Sequence, residues 1–128
     1  MRESPSEAWA RCTPWIAAAL GQGGDTHTVD DVALGIEAGR FHFWPAAHCA
    51  VVTEFWDMPR LKALNLWLIG GDLREVRALY PSIEDWALAN GCRRMCGGGV
   101  AGRRAWDRIT GRLGFLPRWT VYSKELIA

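Results

Sequence analysis

One apolar segment near the middle of the chain most limits the folds that this sequence can adopt. Residues 61–69 read LKALNLWLI and end at the glycine pair Gly70–Gly71. Successive side chains of a strand point to opposite faces, and here both faces are largely apolar. Leu64, Leu66 and Leu68 are expected on one face, and Asn65, Trp67 and Ile69 on the other. We therefore predict a central strand that is covered on both faces.

The flanking segments predict a mixed α/β sheet in which an antiparallel meander is followed by a β-α-β-α-β arrangement. Strands are indicated by β-branched and aromatic residues, and helices by capping residues and amphipathic spacing. The predicted elements are helices 4–20 and 28–38, strands 40–46, 48–57 and 61–69, helix 72–91, strand 92–96, helix 102–114 and strand 115–126. Pro14 should kink or interrupt the first helix. Pro81 leaves two alternatives for the third, which either kinks there or begins there.

The length of 128 residues fits one domain. We predict a single domain over residues 1–128, in which an N-terminal helix and loop, 1–27, precede a core of 28–126. No apolar run reaches the roughly 18–20 residues that span a bilayer, and the first residues lack the apolar region of a signal peptide. We therefore expect a cytoplasmic protein with no membrane partner.

Charge is unevenly distributed along the chain. Residues 91–128 contain eight Lys and Arg against two acids, a net +6, whereas residues 1–90 contain seven against twelve, a net −5. This asymmetry indicates a polyanionic ligand or an acidic neighbour near the C-terminal third. Nucleic acid is the weaker interpretation, because no nucleic-acid-binding motif accompanies the arginines.

The four cysteines do not suggest a disulfide framework in a chain with a core of this size. A zinc site that uses Cys92, Cys96 and the pair His48–Cys49 is conceivable, but the close C-x2-C spacing of common zinc folds is absent. Buried, reduced thiols are the simpler interpretation. We expect no metal.

Glycines at 97, 99 and 102 spell G-x-G-x-x-G ahead of a predicted helix. A dinucleotide-binding unit also needs a second parallel strand after the helix and an acid about 20 residues on. Only 26 residues follow Gly102, and the meander occupies the chain before it. The sequence therefore favours a loop between strand and helix.

The residues after these glycines carry a family resemblance. Residues 103–115 follow the pattern R-x-x-W-x-R-x-x-x-x-L-G-F, and a predicted strand comes after them. The strand LNLWLIGG, a helix ending WALANGC and the strand RRMC come before them. This arrangement resembles the GNAT N-acetyltransferase superfamily over residues 28–126. It is most similar to the small, divergent GNAT-like proteins often encoded by bacteriophages.

The resemblance implies an acyl-CoA-dependent N-acyltransferase with acetyl-CoA as cosubstrate and a primary amine, on a small molecule or a protein, as acceptor. In that family acyl-CoA lies where two strands splay apart, and its pyrophosphate rests on the N-terminus of the following helix. The residues implied to bind it are Leu66, Trp67, Leu68, Ile69, Gly70, Gly71, Leu73, Arg74 and Arg103. Arg77 could add charge.

Glu54 is the candidate general base, because a carboxylate inside an apolar strand is expected to have a raised pKa. The alternative is that Glu54 faces solvent or pairs with an arginine. His42 and His48 are more typical of structural histidines.

Two features depart from the family pattern. The family's phosphate loop is replaced by GGDLRE, in which Asp72 would repel a pyrophosphate, and Thr110 stands where many members have the tyrosine that protonates the departing thiolate. Tyr80 and Tyr122 are possible substitutes. A second hypothesis is therefore a catalytically degenerate GNAT scaffold that acts as a virion-associated or protein-interaction module, with a homo-oligomer or a virion protein as partner.

Overall fold

The computed structural model describes residues 2–99 and 104–127. Its helices and strands follow one another in the predicted order as far as the last helix. They are α1 Pro5–Gln22, α2 Val29–Glu37, β1 His42–Pro45, β2 Cys49–Met58, β3 Leu61–Gly71, α3 Leu73–Ala89, β4 Arg94–Gly97 and α4 Arg104–Arg112.

The four strands form one mixed sheet in the order β1-β2-β3-β4. β1, β2 and β3 form the antiparallel meander, and β4 pairs parallel to β3 after the α3 crossover. The predicted mixed α/β class is confirmed. β3 has a neighbour on each side, as its apolar pattern predicts.

Apolar side chains pack on both faces of the sheet. On one face, α1 and α2 form the α1-side core with β2 and β3, built from Cys12, Ile16, Ala19, Leu20, Val32, Ala50, Val52 and Leu68. On the other face, α3 forms the α3-side core, built from Cys49, Val51, Leu64, Leu66, Val76, Tyr80, Ile83, Ala87 and Cys92. The N-terminal helix thus supplies buried residues to the sheet.

Local signals set the helix boundaries. Ser4 and Glu7 form a capping box at α1, and Thr28 and Asp31 form one at α2. The backbone and side-chain hydroxyl of Thr28 bond the Asp31 carboxylate and hold its pKa below the usual range. α3 begins at Leu73 and runs through Pro81, so the alternative of a start at Pro81 is wrong. α1 likewise continues through Pro14 as one element.

All four cysteines are free and buried. Burial raises the pKa of the Cys49 thiol to about 11, and the nearby Glu75 carboxylate adds to the shift. Among the described residues no group of three or more His, Cys, Asp and Glu could hold a metal ion. No helix in the described ranges is both long enough and apolar enough to cross a bilayer.

The strand predicted over residues 115–126 is not formed. Residues 115–127 contain no strand and, after Phe115, are exposed to solvent. A strand is stabilised only by a neighbour that accepts its backbone hydrogen bonds, and no described segment pairs with the outer side of β4. Residue composition predicts a β-type segment but cannot supply its partner.

Replacing Ile83 by alanine should lower the free energy of unfolding by about 2–5 kcal/mol, because the deletion leaves a cavity in the α3-side core. Leu88→Ala on the same helix is the matched control, since Leu88 is 63% exposed, and should change it by less than about 0.5 kcal/mol. Urea denaturation measures both values. Equal losses in the two variants would contradict this description of the core.

Candidate functional site

A β-bulge interrupts β3 near its C-terminal end. Thr53 of β2 pairs with Leu66, and the next residue, Val52, pairs with Leu68, so Trp67 is one extra residue in β3. Such a bulge leaves its extra residue outside the ladder and bends the strand. It also shifts the side-chain alternation by one residue.

The shifted alternation corrects one prediction. Leu64 and Leu66 share a face as expected, but Leu68 packs in the α1-side core, and Ile69 packs against the α3-side core. The predicted faces of Leu68 and Ile69 are therefore wrong, because strict alternation cannot anticipate an inserted residue.

The bulge lies where β4 leaves β3. The parallel ladder runs from the pair Ala63–Arg94 to the pair Leu66–Gly97 and ends there. β2 accompanies β3 farther, to the pair Cys49–Gly71. Residues 67–71 of β3 therefore have β2 on one side and no described strand on the other. A wedge opens with its apex at Leu66–Gly97, and Leu66 itself is the last paired residue rather than part of the open edge.

Tight internal packing explains the glycine pair that ends β3. A Cβ on Gly70 would meet the Trp15 carbonyl oxygen at 2.5 Å, and Gly71 lies at φ 97° against the backbone of His48 and Cys49. A side chain at either position would push β3 away from α1 or from β2. The family resemblance implied that both glycines bind acyl-CoA, and their described close contacts are with the protein itself.

The N-terminus of α3 follows directly after the wedge. Asp72 is the N-cap: its carboxylate accepts a hydrogen bond from the Arg74 backbone N–H at 2.9 Å, and its own N–H donates to the His48 carbonyl at 2.8 Å. This cap satisfies one first-turn donor and fixes the direction in which α3 leaves the sheet.

A surface cleft of about 440 Å³ separates this N-terminus from α4. Its lining includes three arginines and one acid. The lining residues are Asp72, Leu73, Arg74, Ala105, Arg108, Ile109 and Arg112. The one ion pair among the described residues joins Arg11 to Glu3, so the three guanidinium groups at the cleft lack a carboxylate partner within 4 Å there. The cleft therefore has an excess of positive charge.

Trp106 positions α4 beside the wedge. Its indole is 94% buried and lies against Gly97 and Gly99, close to Leu66 at the apex. The first two glycines of the G-x-G-x-x-G segment thus make room for this ring. Gly102 and Arg103 lie outside the described residues. With Trp106 fixed, the next turns of α4 direct Arg108 and Arg112 towards α3. Neither arginine was predicted as a site residue, although their four-residue spacing was the available signal.

Glu54 lies on the opposite face of the sheet, near the apex. Its neighbours Thr53 and Phe55 face the α3 side, where the Thr53 hydroxyl accepts a hydrogen bond from Trp44 and Phe55 stacks on Trp86. Alternation therefore directs Glu54 to the α1 side. The half-buried carboxylate accepts a hydrogen bond from the Asn65 side-chain amide at 3.2 Å. Among the described residues, Glu54 is therefore neither paired with an arginine nor fully exposed to solvent.

An aromatic group covers the bulge from the same α1 side. The Trp67 indole contacts Phe41, at 4.6 Å between ring centroids, and His27, at 4.7 Å. His27 is half-buried, and its Nδ1 shares a hydrogen bond with the Thr26 hydroxyl. The Trp67 side chain is thus directed into this group, and its backbone is what borders the wedge. Sequence reasoning did not identify His27, because the contact depends on the bulge.

None of the suggested proton donors lies in the cleft. The Thr110 hydroxyl donates to the carbonyls of Trp106 and Asp107, at 3.1 Å each. Tyr80 is buried in the α3-side core, and burial, assisted by a hydrogen bond with Glu84, raises the pKa of its phenol. Tyr122 is 90% exposed. His42 packs between Phe55 and Trp86, where burial, reinforced by the charge of Lys62, lowers its pKa.

Several solved structures resemble the chain over nearly its whole length. A probable acetyltransferase superposes with a TM-score of 0.71 at 10% identity, covering 100% of this chain and 99% of its own. A ribosomal-protein-alanine N-acetyltransferase from Brucella melitensis biovar Abortus 2308 gives 0.67 at 11%, covering 92% and 93%. The protein TTHA1254 from Thermus thermophilus gives 0.67 at 12%, covering 99% and 96%.

No protein-family model matches the sequence, and no curated protein matches it significantly. The agreement is therefore one of three-dimensional structure. The order of elements, the wedge and the neighbouring folds together show that this chain has the fold of the GNAT acetyltransferases.

Proposed function

We propose that the protein transfers an acyl group from acyl-CoA to a primary amine. The observation that carries the proposal is the separation of β3 from β4 beyond Leu66, directly before a helix N-terminus that shares a basic cleft with Arg108 and Arg112 of α4. An unpaired strand edge and a basic helix N-terminus suit two parts of one ligand. The edge suits an extended chain with amide groups, and the N-terminus suits a phosphate group.

The backbone of residues 67–69 would hold the pantetheine chain. Strand edges bind extended chains by main-chain hydrogen bonds, and pantetheine carries two amides that can form them. Leu66 would close the inner end of the groove because its own backbone is paired with Gly97. Gly70 and Gly71 would contribute backbone alone.

The pyrophosphate would bind between α3 and α4. The positive end of the helix dipole at the N-terminus of α3 favours an anion there. Arg74, Arg108 and Arg112 add three positive charges against the single negative charge of Asp72. The positive charge of α4 thus outweighs the repulsion expected from Asp72. It would take the role of the family's phosphate-loop sequence. Leu73 would form the apolar floor, and Arg103 remains a predicted further contact.

Glu54 would act on the acceptor amine from the α1 side. Bound acyl-CoA supplies the acyl group as a thioester, whose carbonyl carbon the neutral amine attacks. Glu54 would accept the proton that the amine loses, directly or through water, while Asn65 holds its carboxylate in place. With Thr110 bonded to its own helix, the departing sulfur would take its proton from water.

Adding acetyl-CoA should raise the melting temperature of the protein, since a ligand at 100 times its Kd stabilises the folded state by about 2.7 kcal/mol. The double variant Arg108→Ala/Arg112→Ala should lose roughly tenfold or more in affinity, because two charge-assisted contacts disappear. Arg60→Ala, at the turn between β2 and β3, is the matched control and should keep the wild-type shift. Differential scanning fluorimetry measures all three proteins.

Absence of a shift at millimolar acetyl-CoA would contradict acyl-CoA binding. That result would favour the alternative hypothesis of a GNAT scaffold that serves as an interaction module.

Replacing Glu54 by glutamine should lower kcat by about 100-fold or more, since a positioned general base contributes roughly 10²–10⁴-fold. Acetyl-CoA affinity should stay unchanged, because Glu54 lies across the sheet from the cleft. Asp57→Asn, at the exposed end of the same strand, is the control. Release of free CoA thiol with a panel of amines, including a peptide with N-terminal alanine, measures the rate. Full activity of Glu54→Gln would limit Glu54 to a structural bond with Asn65.

A further inference from the structure

The C-terminal segment, residues 116–127, carries a concentration of exposed apolar side chains. Tyr122 is 90% exposed, and Ile127 is 97% exposed. The other large apolar residues exposed in this segment are Leu116, Trp119, Val121 and Leu126. Six large apolar side chains exposed within twelve residues are more than a stable monomer usually leaves uncovered.

The start of this segment is fixed on the α3 side. Gly114, at φ 89°, ends α4, and the Phe115 N–H donates to the Thr110 carbonyl at 2.9 Å. The Phe115 ring packs on Tyr80 at 5.7 Å between centroids. From this anchor the chain leaves the protein, and none of its residues joins either core. The described part of the segment is therefore exposed and pairs with no described strand of its own chain.

The sheet has an open edge that suits such a segment. β4 is an edge strand, and within residues 2–99 and 104–127 no strand pairs with its outer side. The other edge, β1, ends in Pro45, which has no N–H to donate. β4 contains no proline, and the Trp-Thr-Val-Tyr run, residues 119–122, has the composition of a strand.

We propose that two copies of this chain exchange their C-terminal segments, each pairing residues 119–123 with β4 of the other. Within the described residues, each copy offers an unpaired β4 edge and an unpaired β-type segment, so a two-fold dimer satisfies both reciprocally. The inference is independent of acyl transfer.

The apolar area available is sufficient for a stable dimer. A covered aromatic ring buries about 150–250 Å². Trp119 and Tyr122 from two copies therefore contribute up to roughly 600–1,000 Å². Leu116, Val121, Leu126 and Ile127 from both chains raise this towards the about 1,200–2,000 Å² of stable interfaces.

Light scattering on the full chain should give twice the monomer mass of 14.3 kDa. Val121→Pro should give the monomer mass, because proline removes a ladder donor, and its melting temperature at high dilution should match that of the wild type. Trp119→Ala/Tyr122→Ala should also be monomeric. The matched control is Leu34→Ala/Leu88→Ala, which removes two exposed leucines elsewhere and should remain dimeric.

Amide hydrogen exchange distinguishes exchange between chains from closure within one chain. In a swapped dimer the amides of residues 119–123 are protected, and protection is lost on dilution and in Val121→Pro. A wild-type monomer would overturn the proposal, whether the amides of residues 119–123 exchange fast or are protected by pairing with β4 of the same chain. A dimer that persists in both segment variants would overturn it as well.

Discussion

The arrangement of the site depends on the point at which two neighbouring ladders of β3 stop. The ladder with β4 ends at Leu66–Gly97, whereas the ladder with β2 continues to Gly71. Because β2 holds β3 to its end, the far part of β3 stays extended while β4 is free to diverge. The extra residue Trp67 bends β3 at the same place. The result is an extended strand edge that is rigid on one side and open on the other.

Packing on both faces keeps this edge in place. On the α1 side, Gly70 touches the backbone at Trp15, and the Trp67 ring packs against Phe41 and His27. On the other side, Asp72 starts α3 directly after the strand, and Trp106 seats α4 on Gly97 and Gly99. Helix α4 then directs its arginines at the start of α3. The residues before α3 carry the acidic N-cap Asp72, and α4 supplies the positive charge of Arg108 and Arg112. The cleft is therefore basic although its N-cap is acidic.

Features set by local chemistry could be predicted from the sequence. The two capping boxes, the apolar β3 and the helix after Asp72 all follow from residues within a few positions of one another, and the mixed sheet follows from their order. The bulge could not be predicted, because one inserted residue leaves the composition of an apolar run unchanged. The faces predicted for Leu68 and Ile69 were wrong for that reason.

Features that depend on distant partners were also beyond prediction. The strand expected at residues 115–126 has β-type composition but no described neighbour, and Glu54 bonds Asn65 of another strand rather than an arginine.

Amide hydrogen exchange along β3 tests the central claim most directly. In the free protein, amides between Trp67 and Ile69 that do not bond to β2 should exchange fast, while those paired with β4 at residues 63–66 exchange slowly. Acetyl-CoA should slow the first group and leave the second unchanged. Slow exchange along the whole strand without ligand would show that the wedge is closed, and unchanged fast exchange at saturating acetyl-CoA would show that the wedge does not hold it.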